Sequence, residues 1–478
     1  MAIWKTWLAS LHRYLGIALC LLFAMWFASG IVMLFHPYPA LSAADRFACL
    51  SPIDVAATRG IGALLARVPA EASRIWLTAA DGRALLHVSR GDAIHSWSMD
   101  AADAAPIGTT TARVVAGRCG WGHPVSLDTI RDDQWSVHQR FDPDRPLYRV
   151  TLDDAAATVV YVSSRTGEVV QKTDRSSRAW NWLGSVPHWI YPTVIRRHWA
   201  LWDSLVWWLS GAGTVGVLAG LAIGVVRWRR SPWSRISPFR GALYWHHVTG
   251  IAGGVVVLAW ILSGMLSMDH GRLFSTDAPT PAQVATLKGA STVTGNLAAA
   301  LRRLEDLPHP PREIEWVSIA GEAFIVARST SGQQSILRAD GSPEGSTFMP
   351  ATLHDAATRL VPNARLIGSD VLDAYDNNYY GREHAPRPLP VLRLRYDDSA
   401  STWFHVDLAS GAILERANAS RRAYRYWFNA LHAHDLQWML DRPRLRRAWM
   451  VTLCTGGLVF SLNAVWLAWK RLRPMARQ

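Results

Sequence analysis

Four apolar runs, each long enough to cross a bilayer, constrain this chain more than any other feature. They cover roughly Trp7–Phe35, Trp199–Val226, Tyr244–Met268 and Trp449–Trp469, and about 20 apolar residues suffice for one crossing. Tryptophan crowds their ends: Trp4, Trp7, Trp199, Trp202, Trp228, Trp245, Trp449, Trp466 and Trp469. An indole is part apolar and part hydrogen-bonding, so it settles at the membrane–water boundary. The runs predict a membrane protein with four transmembrane α-helices.

The net charge of +13 would suit a nucleic acid, but its location argues against that partner. Lys5 and Arg13 flank span one, the run Arg227–Arg240 joins spans two and three, and "KRLRPMAR" follows span four. Four crossings put all three on one side, which the positive-inside rule makes cytoplasmic. The expected location is a bacterial inner membrane with both termini inside. The expected division is span one within 1–36, a first periplasmic domain 37–198 and span two 199–228. A cytoplasmic loop 229–243, span three 244–268, a second periplasmic domain 269–448, and span four with its tail 449–478 follow. "ALSAAD" (Ala40–Asp45) is loosely like a signal-cleavage site. An apolar core of more than about twenty residues is too long for a signal peptide, so span one is expected to be retained.

Cys20 and Cys454 fall in spans and read as small apolar residues. Cys49 and Cys119 share the first outer segment, where oxidation would allow a disulfide between them. No CxxC and no zinc-type spacing occurs.

The chain also repeats itself. Offset by 234 residues, "HRYLGIA" (His12–Ala18) meets "HHVTGIA" (His246–Ala252), Ser29-Gly30 meets Ser263-Gly264, and His36 meets His270. Offset by 244, Leu147–Val170 meets Val391–Leu414 and His188 meets His432. The expected architecture is span, outer domain, span, in two tandem repeats of the same orientation. That implies a pseudo-twofold axis along the membrane normal, with span one opposite span three. The outer segments read as α+β. "LYRVTL" and "VVYVSS" alternate as strands around a polar turn, while Ser51–Val68 and Pro350–Ala364 carry helical periodicity.

A helix followed by a hairpin ending in "VYVSSRTGEVV" or "FHVDLASGAIL" resembles the PepSY domain. "LHRYLGI" at span one, and the aromatic approaches "WNWLGSVPH" and "YWFNALH", resemble the PepSY-associated transmembrane family. The resemblance runs through both halves and implies two PepSY-like periplasmic domains. It also implies a part in iron uptake, since some members are inner-membrane reductases that bind haem and reduce ferric siderophores. Extra sequence around Asp81–Trp121 departs from a single compact PepSY unit.

Under that resemblance the histidines are candidate ligands of haem b iron, two or more haems in all. Two axial imidazoles leave no open position and suit electron transfer, and helix bundles build such sites from facing side chains. His12 with His246 is the leading pair, with His247 the adjacent alternative. Gly16 and Gly250, one turn on, leave room for a flat macrocycle or a close helix. His188 with His432 is the second pair, in an aromatic setting that would serve equally as a membrane-interface turn. His36 with His270 is the third. His36 lies about 36 Å along a helix from His12 and about 120° around it, so one straight helix cannot aim both into one groove. His198 and His434 have no histidine counterpart in the other half and read as surface or propionate contacts.

The loop "YDNNYYGREHAPRP" (Tyr375–Pro388) offers Arg382, His384 and Arg387 for a chelated ferric substrate, although such a loop is more often simply solvated. Asp153-Asp154 and Asp397-Asp398 sit in hairpins and read as turn residues rather than metal ligands. No Walker A, HExxH or GxSxG motif is present, and the inner loops are too short for a flavin or nucleotide module. Electrons would have to come from a separate donor, a quinol or a cytoplasmic reductase. No catalytic residue is assigned. The expectation is haem-dependent electron transfer that reduces a periplasmic ferric chelate, an oxidoreductase activity. Two rivals lack redox chemistry: a peptide-binding or protease-regulating membrane protein, and a transport subunit for iron or a siderophore.

Overall fold

The computed structural model describes residues 3–69, 71–99, 107–229, 236–289, 297–329, 333–382 and 385–473. Parts of the basic run after Arg229, of the extra sequence after Met99 and of the C-terminal tail lie outside the described residues, as does His384.

Among the described residues four helices are long and apolar enough to cross a membrane: Ile3–Met33, Trp199–Trp228, Ala242–Ser267 and Pro443–Leu472. Each begins or ends where local chemistry dictates. Pro443 opens the fourth at the first helical turn, where its missing N–H costs nothing. The first gives way to a turn at Leu34–His36, ahead of Pro37, which disfavours helical backbone in the residue before it. Leu21, Trp208 and Val459 are largely exposed on the bundle's outside, as lipid-facing side chains must be. Span one packs on spans two and four, and span three packs on the same two, so spans one and three lie across the bundle from each other. Small residues bring the backbones close. A Cβ at Gly457 would fall on the Phe27 ring.

Outside the bundle the described residues form three antiparallel sheets. The strands are β1 (Arg74–Ala80), β2 (Arg83–Arg90), β3 (Ala93–Ser98), β4 (Pro124–Ile130), β5 (Leu147–Leu152), β6 (Val159–Ser163) and β7 (Val169–Thr173) before span two. After span three come β8 (Glu313–Ile319), β9 (Glu322–Arg328), β10 (Gln334–Arg338), β11 (Pro343–Gly345), β12 (Leu366–Leu372), β13 (Val391–Tyr396), β14 (Trp403–Asp407) and β15 (Ile413–Ala417). Two four-stranded meanders, β4-β5-β6-β7 and β12-β13-β14-β15, each follow a short helix, Thr109–Arg118 and Pro350–Ala357. Each helix lays its apolar side on its own meander: Ala112, Val115 and Ala116 on Val150, Val160 and Val162, and Leu353, Ala356 and Ala357 on Leu394, Phe404 and Val406.

The aspartate pairs are turn residues, as their setting in the hairpins suggests. Asp154 accepts from the Thr158 N–H at 2.7 Å and its hydroxyl at 2.8 Å, and Asp398 does the same for Thr402 at 2.6 and 2.7 Å. Cys49 and Cys119 are joined by a disulfide, and Cys20 and Cys454 are free and buried.

Two features differ from the reading of the sequence. Ser51–Val68 is not one helix. Ser51–Asp54 is irregular, and only Ala56–Thr58 and Ile61–Leu65 turn helically. Pro52 and the glycines at 60 and 62 lower the helix propensity that the apolar spacing would otherwise exploit. The outer segments are also not two separate bodies. The third sheet has the order β11-β10-β9-β8-β1-β2-β3 and draws strands from both. β1 pairs with β8, Leu77 opposite Ile314, and one apolar core holds Leu77, Leu86, Ile314 and Ile325 together.

Candidate functional site

Two histidine pairs form inside this framework. His12, in the third turn of span one, meets His246, near the start of span three, with ring centres 6.1 Å apart. The His12 Nδ1 lies 2.9 Å from the Gly216 carbonyl of span two, so that nitrogen carries the proton and Nε2 is left as a lone-pair donor. His246 stacks on Phe460 at 4.9 Å, and its Nδ1 is buried without a partner. His247 points elsewhere: its Nε2 donates to the Gly224 carbonyl at 3.0 Å, and its ring meets Phe239 edge-on. Of the two adjacent candidates, His246 is therefore the one that faces His12.

A cavity of about 780 Å³ surrounds this pair, bounded by all four spans. Its lining is mainly apolar, with Gly16, Gly220 and Gly250 in the walls and Arg13, Arg227 and Arg471 among the lining residues. A Cβ on Gly16 would meet nothing within 4 Å, whereas one on Gly220 would fall on the His12 ring. The volume lies in the range of small-molecule and cofactor sites.

His188 and His432 form the second pair, with ring centres 6.2 Å apart. The two approaches fold differently to reach it. In the first, Gly184 breaks the helix Arg175–Leu183, and the short helix Ser185–His188 carries the imidazole inward. In the second, a π-helical turn over Arg425–Ala430 re-aims the chain ahead of His432, a device common at functional sites. Both rings then lie against the spans. The His188 Nδ1 is 3.1 Å from the Ser29 hydroxyl and 3.1 Å from the Trp26 carbonyl, and the His432 Nδ1 is 3.2 Å from the Ser263 hydroxyl. The Trp26 indole donates to the His188 carbonyl and the Trp260 indole to the His432 carbonyl, both at 2.9 Å. Trp26 and Trp260 went unnoticed in the sequence as site residues, although they obey the same 234-residue offset as the serines.

The pairs stand at opposite ends of the bundle. His12 belongs to one and Ser29 touches the other, and the step of 17 residues from His12 to Ser29 rises about 26 Å along the helix. The third candidate pair is engaged elsewhere. His36 stacks on Trp180 at 4.4 Å, while His270 contacts Asp203 at 2.5 Å and stacks on Trp207. His434 accepts from the Trp449 indole at 3.2 Å.

In the outer loop, Arg382 pairs with Asp435 at 2.7 Å, and Asp435 is fully buried three residues beyond His432. Arg387 pairs with Glu415 at 2.5 Å and lies over the Tyr379 ring. Arg382 thus ties this loop to the segment that carries His432.

The family model for the PepSY-associated TM region matches residues 9–360, about three quarters of the chain. The chain belongs to this family. The match to the PepSY-associated TM region takes in spans one to three, the first meander and the helix that precedes the second, and therefore His12, His188 and His246. No curated protein matches the chain.

The ring-centre spacing of each imidazole pair leaves room for a metal between them. An imidazole nitrogen sits roughly 1.1 Å from its ring centre and about 2.0–2.1 Å from a bound ion such as zinc, so two opposed rings on one metal have centres about 6 Å apart. The observed 6.1 and 6.2 Å meet that spacing. Among the described residues no cluster of three or more His, Cys, Asp or Glu side chains could hold a bare metal ion. A two-histidine set suits a metal whose remaining ligands come from a macrocycle, and the glycine-walled cavity around the inner pair suits such a group.

Proposed function

We propose that this protein is a haem-dependent electron carrier of a bacterial inner membrane that reduces a ferric chelate, of which a ferric siderophore is the leading candidate. The observation that carries the reading is the pair of facing imidazoles at each end of one four-helix bundle. In this reading the chain is a tandem repeat with both termini in the cytoplasm and both PepSY-like segments in the periplasm. The Cys49–Cys119 disulfide suits that oxidising side.

When bound between two imidazoles, haem supplies a one-electron ferric–ferrous couple. His12 and His246 would hold the inner haem, and His188 and His432 the outer one. The apolar bundle keeps water from both. The loop with Arg382, His384 and Arg387 is our candidate for chelate contact, because Arg382 pairs with Asp435, three residues beyond His432. One electron per ferric ion reaches the substrate, and ferrous iron is the softer ion that oxygen donors hold less tightly. The electrons enter from a separate donor, a quinol or a cytoplasmic reductase.

The test is the visible spectrum of the protein purified in detergent. A Soret band that shifts on adding dithionite supports the reading, and its absence rejects it. Leucine at Gly16 offers a second check. Gly16 lines the cavity and a Cβ there meets nothing within 4 Å, and leucine favours a helix over glycine by nearly 1 kcal/mol. The variant is expected to fold at least as stably and to lose the inner haem alone. Retention of full haem content in Gly16→Leu would place the cofactor elsewhere.

A further inference from the structure

We infer that Ser29 and Ser263, each with the tryptophan three residues before it, are positioning residues that set the tautomer of the outer imidazoles. The redox consequence rests on the haem reading above; the tautomer does not.

The argument follows the single proton each hydroxyl owns. Ser29 is 1% exposed and its Oγ lies 2.6 Å from the Met25 carbonyl. A serine in a helix commonly spends its proton on the carbonyl one turn back. The hydroxyl can then only accept from the His188 ring, so Nδ1 must carry a hydrogen. The Trp26 carbonyl, 3.1 Å from the same nitrogen, requires the same of it. In the other half Ser263 is fully buried, and its Oγ lies 3.1 Å from the Trp260 carbonyl and 3.2 Å from the His432 Nδ1. Both rings are thereby left with Nε2 as the lone-pair nitrogen, and this nitrogen has no hydrogen-bond partner among the described residues.

The tryptophans fix the other coordinate. Each indole holds the carbonyl of the histidine itself, so the segment bearing the ring cannot slide along the span. The rings also lie against Gly30 and Gly264, where a Cβ would sit 3.5 and 3.4 Å from the Cε1 atoms of His188 and His432, in ordinary van der Waals contact. The device is specific to the outer pair. His12 uses a main-chain carbonyl of another span, and His246 has no Nδ1 partner among the described residues. Span one clasps the histidine that precedes span two, and span three the one that precedes span four. Each half thus prepares its own ligand, and the site is complete when the halves meet.

Two measurements on the full-length protein in detergent test this. Nitrogen NMR on ¹⁵N-histidine protein, assigned with His188→Gln and His432→Gln, is expected to show both rings protonated at Nδ1, with or without cofactor. Finding either ring as the Nε2–H tautomer in cofactor-free protein would overturn the inference. Redox titration of the outer haem gives the second readout. An N–H donated to an oxygen makes the imidazole a stronger donor and so favours ferric iron. Ser263→Ala is therefore expected to raise the outer midpoint, by about tenfold in the reduced-to-oxidised ratio, or about 59 mV for one electron. Ser29→Ala should move it less, because the Trp26 carbonyl still accepts, and Ser→Thr at either position should restore it. An unchanged midpoint in the double alanine variant overturns the positioning role. Absence of haem from the wild-type protein rejects the functional reading instead, and the NMR result then decides the tautomer alone.

Discussion

Alanine at His432 is expected to remove the outer haem and leave the inner one, and alanine at His12 to do the reverse. In the proposed reading each substitution would delete one of the two histidines that hold a haem and open a gap in a packed apolar setting. The partner imidazole alone cannot keep the iron six-coordinate. The measurement is haem content per protein with the reduced-minus-oxidised spectrum: each variant should retain roughly half the haem, since each end of the bundle offers one two-histidine site. Reduction of a ferric chelate should fall to background in both, because an electron crossing about 26 Å of helix needs both stations. Three controls sharpen the result. His247→Ala should keep both haems, because that ring is bonded to the Gly224 carbonyl. His36→Ala and His270→Ala should also keep both, because their rings stack on Trp180 and Trp207. Loss of neither haem in His12→Ala and His432→Ala would reject the ligand assignment.

Much of this site was legible in the chain because it depends on offsets and hydropathy. The spans announce themselves by length, and the constant offsets pair His12 with His246 and His188 with His432 before any packing is known. What was not legible depends on packing. His246 and His247 are neighbours about 100° apart on a helix, and only the docking of span two decides which one turns toward His12. A serine in a span ordinarily bonds its own preceding turn, so Ser29 and Ser263 gave no hint that they also touch imidazoles. The pairing of β1 with β8 joins residues more than 200 positions apart, and the local alternation of either strand is silent about its partner. The helix expected over Ser51–Val68 failed for a local reason, since its apolar spacing is real but its glycines and proline undercut it.

That β1–β8 seam sets up the second large effect. Arg46, from the first outer segment, bonds two carboxylates at once: Glu168 of its own segment and Glu313 at the start of β8. Arg74 and Arg328 also pair with Glu313, and the Trp76 indole donates to Glu168 at 2.8 Å. Glu313 is 1% exposed. Alanine at Arg46 leaves buried Glu168 without an arginine and takes one of three from Glu313, and breaking a buried pair from one side costs about 3–5 kcal/mol. The expected value lies toward the lower end, because a quarter of the Arg46 side chain is exposed and Glu313 keeps two guanidiniums. An exposed pair across the same two segments provides the contrast: Arg59 with Glu305 at 3.1 Å, where alanine should cost about 1 kcal/mol or less. Thermal unfolding and amide exchange along β1 and β8 would measure both, and equal effects from Arg46→Ala and Arg59→Ala would rule out the seam as a lock. The pH dependence carries the same signature. Burial pushes the Glu313 carboxyl up, but Arg46, Arg74 and Arg328 outweigh it and bring it down to about 2 from an ordinary 4.5. A carboxyl depressed by folding contributes its stability in full above the unfolded value and loses it as pH falls through the folded one. The seam should therefore weaken between about pH 4.5 and pH 2, and Glu313→Gln should remove that part of the acid sensitivity while lowering stability near neutrality.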